Sequence, residues 1–401
     1  MKAILQGDKL RPTANAMRSL DEFARDKLSQ RAGEGLRRTL VETMPRDGVE
    51  IERDGRRLLD FSSNDYLNFS RHPALKQAAV QAIERYGIGA GASRLVTGNH
   101  PLYAELESRL ARLKGTQAAC VFGSGYLVNT GLIPALAGRG DLIIADELAH
   151  ACLRAGAQMS GGTIALFRHN DVAHARELLE RKRGKHGRAL IVTEGVFSMD
   201  GDLAPLHALA ALAQDHDAWL LCDDAHGFGV LGGGRGTAFI GAQPPAIPLQ
   251  MGTLSKAIGG YGGYLCASRP VIELMHNRAR TLIYSTGLPP ATIAAAIAAI
   301  DLIENDPDYA QLPLRNAKLF THAAGLKEAV SPIVPLLIGD AEAALRVSRL
   351  LEDSGFLVVA IRPPTVPAGT ARLRFTFGAA HRRADIERLA EIVRTRILVP
   401  A

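Results

Sequence analysis

Cysteine is scarce in this sequence. Only Cys120, Cys152, Cys222 and Cys266 occur, with no close pair and no metal-ligand spacing. Nothing therefore points to a disulfide framework, an oxidising compartment or a cysteine-based metal site. Cys120, Cys222 and Cys266 each lie in an apolar run and read as small core residues. Long apolar runs are missing too: none approaches the ~18 residues of a membrane span. The N-terminal stretch MKAILQGDKLRPTANAM has too short an apolar run for a signal peptide, so a cytoplasmic address is the expectation. No long basic run carries interleaved aromatics, which argues against nucleic acid as a partner. Internal repeats and low-complexity linkers are also lacking.

The composition that is present is that of a folded chain, 47% hydrophobic and 22% charged. At 401 residues it exceeds what one core usually absorbs, so two domains are expected. Lys and Arg total 47 against 41 Asp and Glu, a net of +6. A mild excess of arginine suits a substrate bearing phosphates and carboxylates.

Periodicity gives the elements. A helix is expected from about Leu20 to Val41, then a hairpin over Val49–Phe61 turning at Asp54-Gly55. His72–Tyr86 reads as a helix that ends in the glycine-rich loop Gly87–His100. Leu102, Leu106, Leu110 and Leu113 mark one face of the next helix. Strand candidates at Ala118–Phe122, Leu142–Ala145, Thr163–Phe167, Ala189–Thr193, Trp219–Cys222, Pro248–Met251 and Tyr264–Ala267 follow. Helices at Tyr126–Leu136, Val172–Arg183 and Leu203–Asp215 alternate with them. That rhythm implies a parallel sheet covered on both faces. After Ser285 it changes. A helix over Ala291–Asn305 leads into an α+β mixture: strands at Ile333–Leu337, Phe356–Ala360 and Ala371–Phe375, helices at Ala341–Ser354 and Ala384–Leu398.

The chemistry centres on Gly252-Thr253-Leu254-Ser255-Lys256-Ala257-Ile258-Gly259-Gly260. Lys256 is the only charged residue between Arg235 and Arg269. Such surroundings favour a neutral, nucleophilic amine, and small neighbours let a flat ring approach. Thr253 and Ser255 offer hydroxyls to an anion. This suits a Schiff-base lysine, for which pyridoxal phosphate is the commonest aldehyde. The plainer reading is a loop lysine with its ammonium in water.

Other strand ends carry polar groups. Asp223-Asp224-Ala225-His226 closes a buried strand. A carboxylate there can hold a pyridine nitrogen protonated, and His226 can reach a phenolic oxygen; a metal-like cluster or a cap fits the same letters. Phe122-Gly123-Ser124-Gly125-Tyr126 joins a strand to a helix. The amides of Gly125 and Tyr126 can take a phosphate there, or the turn is purely structural. His150 and Ser198 each follow further strands. Gly227-Phe228-Gly229-Val230-Leu231-Gly232 matches a dinucleotide fingerprint but runs on into Gly233-Gly234-Arg235-Gly236, which opens a helix poorly. Arg372 and Arg374, two apart on a strand, share a face.

The motifs FSSNDYL (61–67), FGSGY (122–126), DELAHACL (146–153), HND (169–171), TEGVFSMDGDLAPL (193–206), DDAHGFGVLG (223–232), GTLSKAIGGYGGY (252–264), YSTGLPP (284–290) and IRPPTVPAGTARLRFTFGAAH (361–381) together resemble the α-oxoamine synthases, a family of fold-type I pyridoxal-phosphate enzymes. The resemblance runs from about Leu36 almost to the end. It implies an α/β large domain over 61–290 with a mostly parallel seven-stranded sheet flanked by helices. A smaller α+β domain over 291–401 and an N-terminal helix-and-hairpin segment over 1–60 complete it. By that resemblance Lys256 is the Schiff-base lysine, Asp223 pairs with the ring nitrogen and His226 holds the phenolic oxygen. His150 stacks on the ring and reaches the substrate. Gly125, Tyr126, Ser198 and Thr253 hold the cofactor, and Ser285 and Thr286 act across a homodimer. Asn64 and Arg374 engage the amino-acid carboxylate. Arg37, or its neighbour Arg38, lies near the acyl substrate with Arg362 and Thr365. The last motif favours the family member that condenses L-alanine with pimeloyl-CoA or its carrier-protein equivalent in biotin synthesis. The alternatives are a relative using glycine and a shorter acyl-CoA, and a catalytically silent subunit of the same fold, against which intact Lys256, Asp223 and His226 argue.

Overall fold

The computed structural model describes residues 18–398; the stretch read against a signal peptide lies outside them. Seven strands form the main sheet: β1 (Ala118–Phe122), β2 (Leu142–Asp146), β3 (Thr163–Phe167), β4 (Ala189–Glu194), β5 (Trp219–Asp223), β6 (Leu249–Thr253) and β7 (Gly263–Ala267). Their order across the sheet is β1-β7-β6-β5-β4-β2-β3. β7 runs antiparallel to both neighbours and the other pairs are parallel, so the sheet is seven-stranded and mostly parallel, as expected. A short Gly-rich connection, residues 254–262, lets the chain double back there instead of crossing over through a helix.

Alternate strand residues feed two cores. Ile143, Leu190 and Leu221 pack with the helices Gly125–Leu136 and Ala151–Ser160, while Ile144, Ile191 and Leu220 pack with Val172–Lys182 and Leu206–Asp215. Both faces are covered, so these strands read as continuous apolar runs. Each such leucine or isoleucine contributes about 1.5–3 kcal/mol by leaving water. Because β1, β2, β4, β5 and β6 all run the same way, the residues after them emerge along one edge of the sheet.

The C-terminal region holds an antiparallel sheet of Ile333–Gly339, Ala371–Thr376 and Ala360–Ile361. It shares a core with the helices Pro307–Ala324, Ala341–Asp353 and Arg383–Arg396. The hairpin Glu50–Arg53/Arg56–Asp60 is tied to this region, since Phe356–Leu357 pairs in parallel with its second strand. The expected single strand Phe356–Ala360 is thus two pieces in two sheets. The first helix ends at Gly33, not near Val41, because Gly35 takes a left-handed φ of 65°. The helix expected from Leu203 begins at Leu206, after Pro205.

Candidate active site

The sheet edge assembles the site. After β1, Ser124 caps the helix Gly125–Leu136 by accepting a hydrogen bond from Leu127 N at 3.2 Å. The amides of Gly125 and Tyr126, in the first turn, have no intrahelical acceptor and are available to an anion. The helix end is seated tightly: a Cβ on Gly263 would stand 2.6 Å from Gly125 N. Thr253, ending β6, places its Oγ1 2.8 Å from Ser255 Oγ and 2.9 Å from Gly262 O.

Asp223 ends β5 and is buried. Its Oδ1 accepts Ala225 N at 3.0 Å and its Oδ2 accepts Asn129 Nδ2 at 2.7 Å, so the carboxylate is fixed by two donors. His226, also buried, has Nδ1 2.7 Å from Tyr66 Oη, which leaves Nε2 for a ligand. Burial, then the charges of Lys256 and Arg374, hold this imidazole well below its ordinary value and therefore neutral. Lys256 is half-buried. Burial pushes its amine down and Arg374 adds to that, while Asp223 and Glu194 oppose it.

His150 follows β2 and caps the helix Ala151–Ser160 through Nδ1, which accepts Cys152 N at 3.2 Å. The Cys152 thiol lies 2.8 Å from the same nitrogen; burial pushes it up to about 12, so it stays a thiol that can donate. His150 itself remains exposed. Its own amide donates to Glu194 Oε1 at 2.7 Å, and Ser198 N donates to Glu194 Oε2 at 3.3 Å. Burial first, then the Asp223 charge, pushes Glu194 up to about 8.

Arg374 reaches in from the C-terminal sheet. It is 7% exposed, donates from Nε to Ser198 O, and donates from both terminal nitrogens to Asn64 Oδ1 at 3.2 Å. Arg372 shares its face, as the alternation predicts, and donates to Met199 O at 3.3 Å and to Asp200. Arg372 has a carboxylate partner; among the described residues Arg374 has none. A buried guanidinium without a counter-ion is a site for an anion.

Lys256, Asp223, His226, His150, Asn64, Ser198 and Arg374 thus come together. Arg37, Arg362 and Thr365 form a separate group. They line a groove of about 570 Å³ with Arg38, Arg53 and Arg349. There Arg38 donates to Thr365 Oγ1 at 3.2 Å and Arg362 to Gly35 O at 2.7 Å. Ser285 and Thr286 lie elsewhere in the chain's fold: Thr286 bridges to Ser93 and Gly287 N donates to Ala92 O at 2.9 Å, both in the glycine-rich loop. Sequence reading missed Asn129, Glu194 and Cys152. Asn129 lies one turn beyond Gly125, so helical spacing places it on the same face. Glu194, a carboxylate at the end of an apolar strand, gave the same signal as Asp223.

The donor set fits a phosphorylated pyridine aldehyde. It offers free helix amides and hydroxyls for phosphate, a fixed carboxylate for a ring nitrogen, a neutral imidazole for a phenolic oxygen, and a lysine with a lowered amine.

Comparison with known proteins agrees with this fit. The aminotransferase class I and II family model matches residues 56–393. The 8-amino-7-oxononanoate synthase of Beijerinckia indica subsp. indica is 61% identical over 377 residues, covering 94% of this chain and 98% of that protein. That of Methylocella silvestris is 64% identical over 346 residues, covering 86% of this chain and 99% of its own length. Among solved structures, a serine palmitoyltransferase from S. paucimobilis with PLP bound superposes with a TM-score of 0.87 at 29% identity, covering 94% of this chain and 98% of that one.

Proposed function

We propose that the chain, which belongs to the aminotransferase class I and II family, condenses L-alanine with pimeloyl-CoA or a pimeloyl-carrier thioester to give 8-amino-7-oxononanoate, free thiol and CO2. The observation that carries the amino-acid half is the buried, acid-free guanidinium of Arg374 beside a lysine whose amine is pushed down.

Bound pyridoxal phosphate supplies an electron sink that acidifies the Cα–H bond of the amino acid. Gly125, Tyr126, Ser198 and Thr253 hold it, and Asp223 keeps its ring nitrogen protonated. Arg374 and Asn64 orient the alanine carboxylate, which decides which Cα bond is broken. Lys256, as a free amine, takes the Cα proton; its lowered basicity keeps it a base near neutral pH. The Cα carbon then attacks the thioester carbonyl, the thiol leaves, the carboxylate leaves as CO2, and a proton returns to Cα. Arg37, Arg362 and Thr365 receive the acyl partner.

The test is a product assay with L-alanine and pimeloyl-CoA, beside glycine with acetyl-CoA. Equimolar thiol and 8-amino-7-oxononanoate from the first pair support the proposal. Product from the second pair alone makes the chain a glycine-using relative, and no product from any pair removes the catalytic reading.

A further inference from the structure

The HND motif at 169–171 has no part in the scheme above, yet it lies directly behind the turn on which Arg374 rests. His169 Nδ1 stands 3.1 Å from Asp146 Oδ1 and its Nε2 stands 2.8 Å from Asp202 Oδ2. With a carboxylate on each ring nitrogen, both nitrogens must donate, so the ring is a cation. Burial pulls His169 down, but hydrogen bonds to Asp146 and Asp202, then their charges, outweigh it and raise the group to about 10. The ring stands edge-on to Phe197, with centroids 4.4 Å apart. Asn170, at a left-handed φ of 56°, adds a donor to Asp202 Oδ2 at 2.9 Å, and its amide donates to Asp146 Oδ2 at 2.9 Å.

The clamp acts on a closed turn. Phe197 N donates to Asp202 O at 3.0 Å and Gly201 N donates to Phe197 O at 2.8 Å. Along that turn the C-terminal region docks: Arg374 on Ser198 O, Arg372 on Met199 O and Asp200, and Ser331 Oγ on Gly201 O. The turn is therefore held from one side by His169, which is anchored to Asp146 at the end of β2. From the other side it receives the arginines.

We propose that His169 is a positioning residue for Arg374: the imidazolium, bridging Asp146 and Asp202, fixes the Ser198 carbonyl that orients the guanidinium, and so sets the affinity for the amino-acid carboxylate. The inference rests on the reading of Arg374 as the carboxylate binder. It assigns His169 no contact with substrate or cofactor.

The experiment compares holoenzyme carrying His169→Phe, His169→Gln and Asp202→Asn with the unsubstituted protein. Amino-acid Kd is read by titrating the cofactor's visible absorbance with L-alanine, or with glycine if only that binds. Cofactor retention on dialysis, melting temperature and the KM for the acyl thioester are read alongside. In His169→Phe the amino-acid Kd rises ~10- to 100-fold, as expected for a sub-ångström misplacement, while cofactor retention and the thioester KM stay put. His169→Gln, which can keep one of the two bonds, falls between. If His169→Phe does not fold, Asp202→Asn, of equal volume, carries the test. An unchanged amino-acid Kd in a folded variant overturns the proposal, and so does a parallel loss of cofactor, amino acid and thioester affinity, which marks a merely structural residue. An enzyme that binds alanine but makes no product from any pimeloyl thioester leaves this proposal standing and removes the proposed reaction.

Discussion

His381 is 7% exposed and both ring nitrogens are committed: Gly378 N donates to Nδ1 at 2.8 Å, and Nε2–H donates to Asp60 O at 3.0 Å. Burial, opposed by the hydrogen bonds to the Asp60 and Gly378 backbone, pushes the imidazole down to about 4. An unfolded histidine titrates near 6.5, so between 6.5 and 4 the unfolded chain binds a proton that the folded chain refuses. The contribution is complete above pH 6.5 and is lost as pH falls through that window, at a cost of roughly 3 kcal/mol. Denaturant titrations from pH 7.5 to 4.5 should show the loss, and His381→Gln should flatten it. An equal slope in both proteins would refute the assignment. For Arg374→Ala, removing a buried charged partner costs about 3–5 kcal/mol, so alanine binding should weaken at least ~100-fold in the absorbance titration. Wild-type affinity in that variant would move the carboxylate site elsewhere. Lys256, Asp223 and His226 were legible because each interrupts an apolar or glycine-rich stretch with a titratable group. Asn129 was not, since a lone amide inside a helix looks like any polar residue until Asp223 is seen 2.7 Å away.

Elements with a regular period were legible nearly to the residue. β1 and β3 fall on the expected spans, and the helix expected over Tyr126–Leu136 begins one residue earlier, at Gly125. Four α-helices were not read: Ala151–Ser160, Arg269–Arg278, Arg280–Ile283 and Pro307–Ala324. The last carries Pro313 inside, which argues against a helix locally, yet tertiary packing of Ala317, Phe320 and Ala324 holds it. The reversed direction of β7 is not in the strand's own period; it follows from the short connection 254–262, which holds no crossover helix. That reversal presses Gly263 against the N-terminal end of the helix Gly125–Leu136, the end proposed to take the phosphate. Gly263→Ala should push the Gly125 amide aside and weaken cofactor binding by about tenfold, a loss expected when preorganised backbone donors shift. Equilibrium dialysis of the folded variant decides it, and unchanged affinity would mean that the helix end can move without consequence.

For the whole molecule, Ser285 and Thr286 pose the remaining question, since within one chain they sit with the glycine-rich loop and not with Lys256. Large apolar side chains are exposed in that loop and beside Ser285: Ile88 is 77% exposed, Val96 74%, Tyr284 72% and Leu95 55%. Large apolar side chains grouped on a surface mark an interaction face, and the commonest partner for such a face is a second copy. A homodimer contact through these loops is expected to bring Ser285 and Thr286 of one protomer to the proposed phosphate site of the other, where Tyr126 is 52% exposed. The expected assembly is a homodimer with composite sites, and complementation tests it without assuming a geometry. Lys256→Ala removes the base, and the double variant Ser285→Ala/Thr286→Ala removes the donated hydroxyls. In a mixed dimer one site has neither set and the other has both. Random reassortment makes half of the dimers mixed, so about a quarter of wild-type activity should return on mixing two nearly inactive proteins. Sedimentation should give a dimer at assay concentrations. Activity that stays at the sum of the two variants after subunit exchange, or a monomer active alone, would show that each chain completes its own phosphate site.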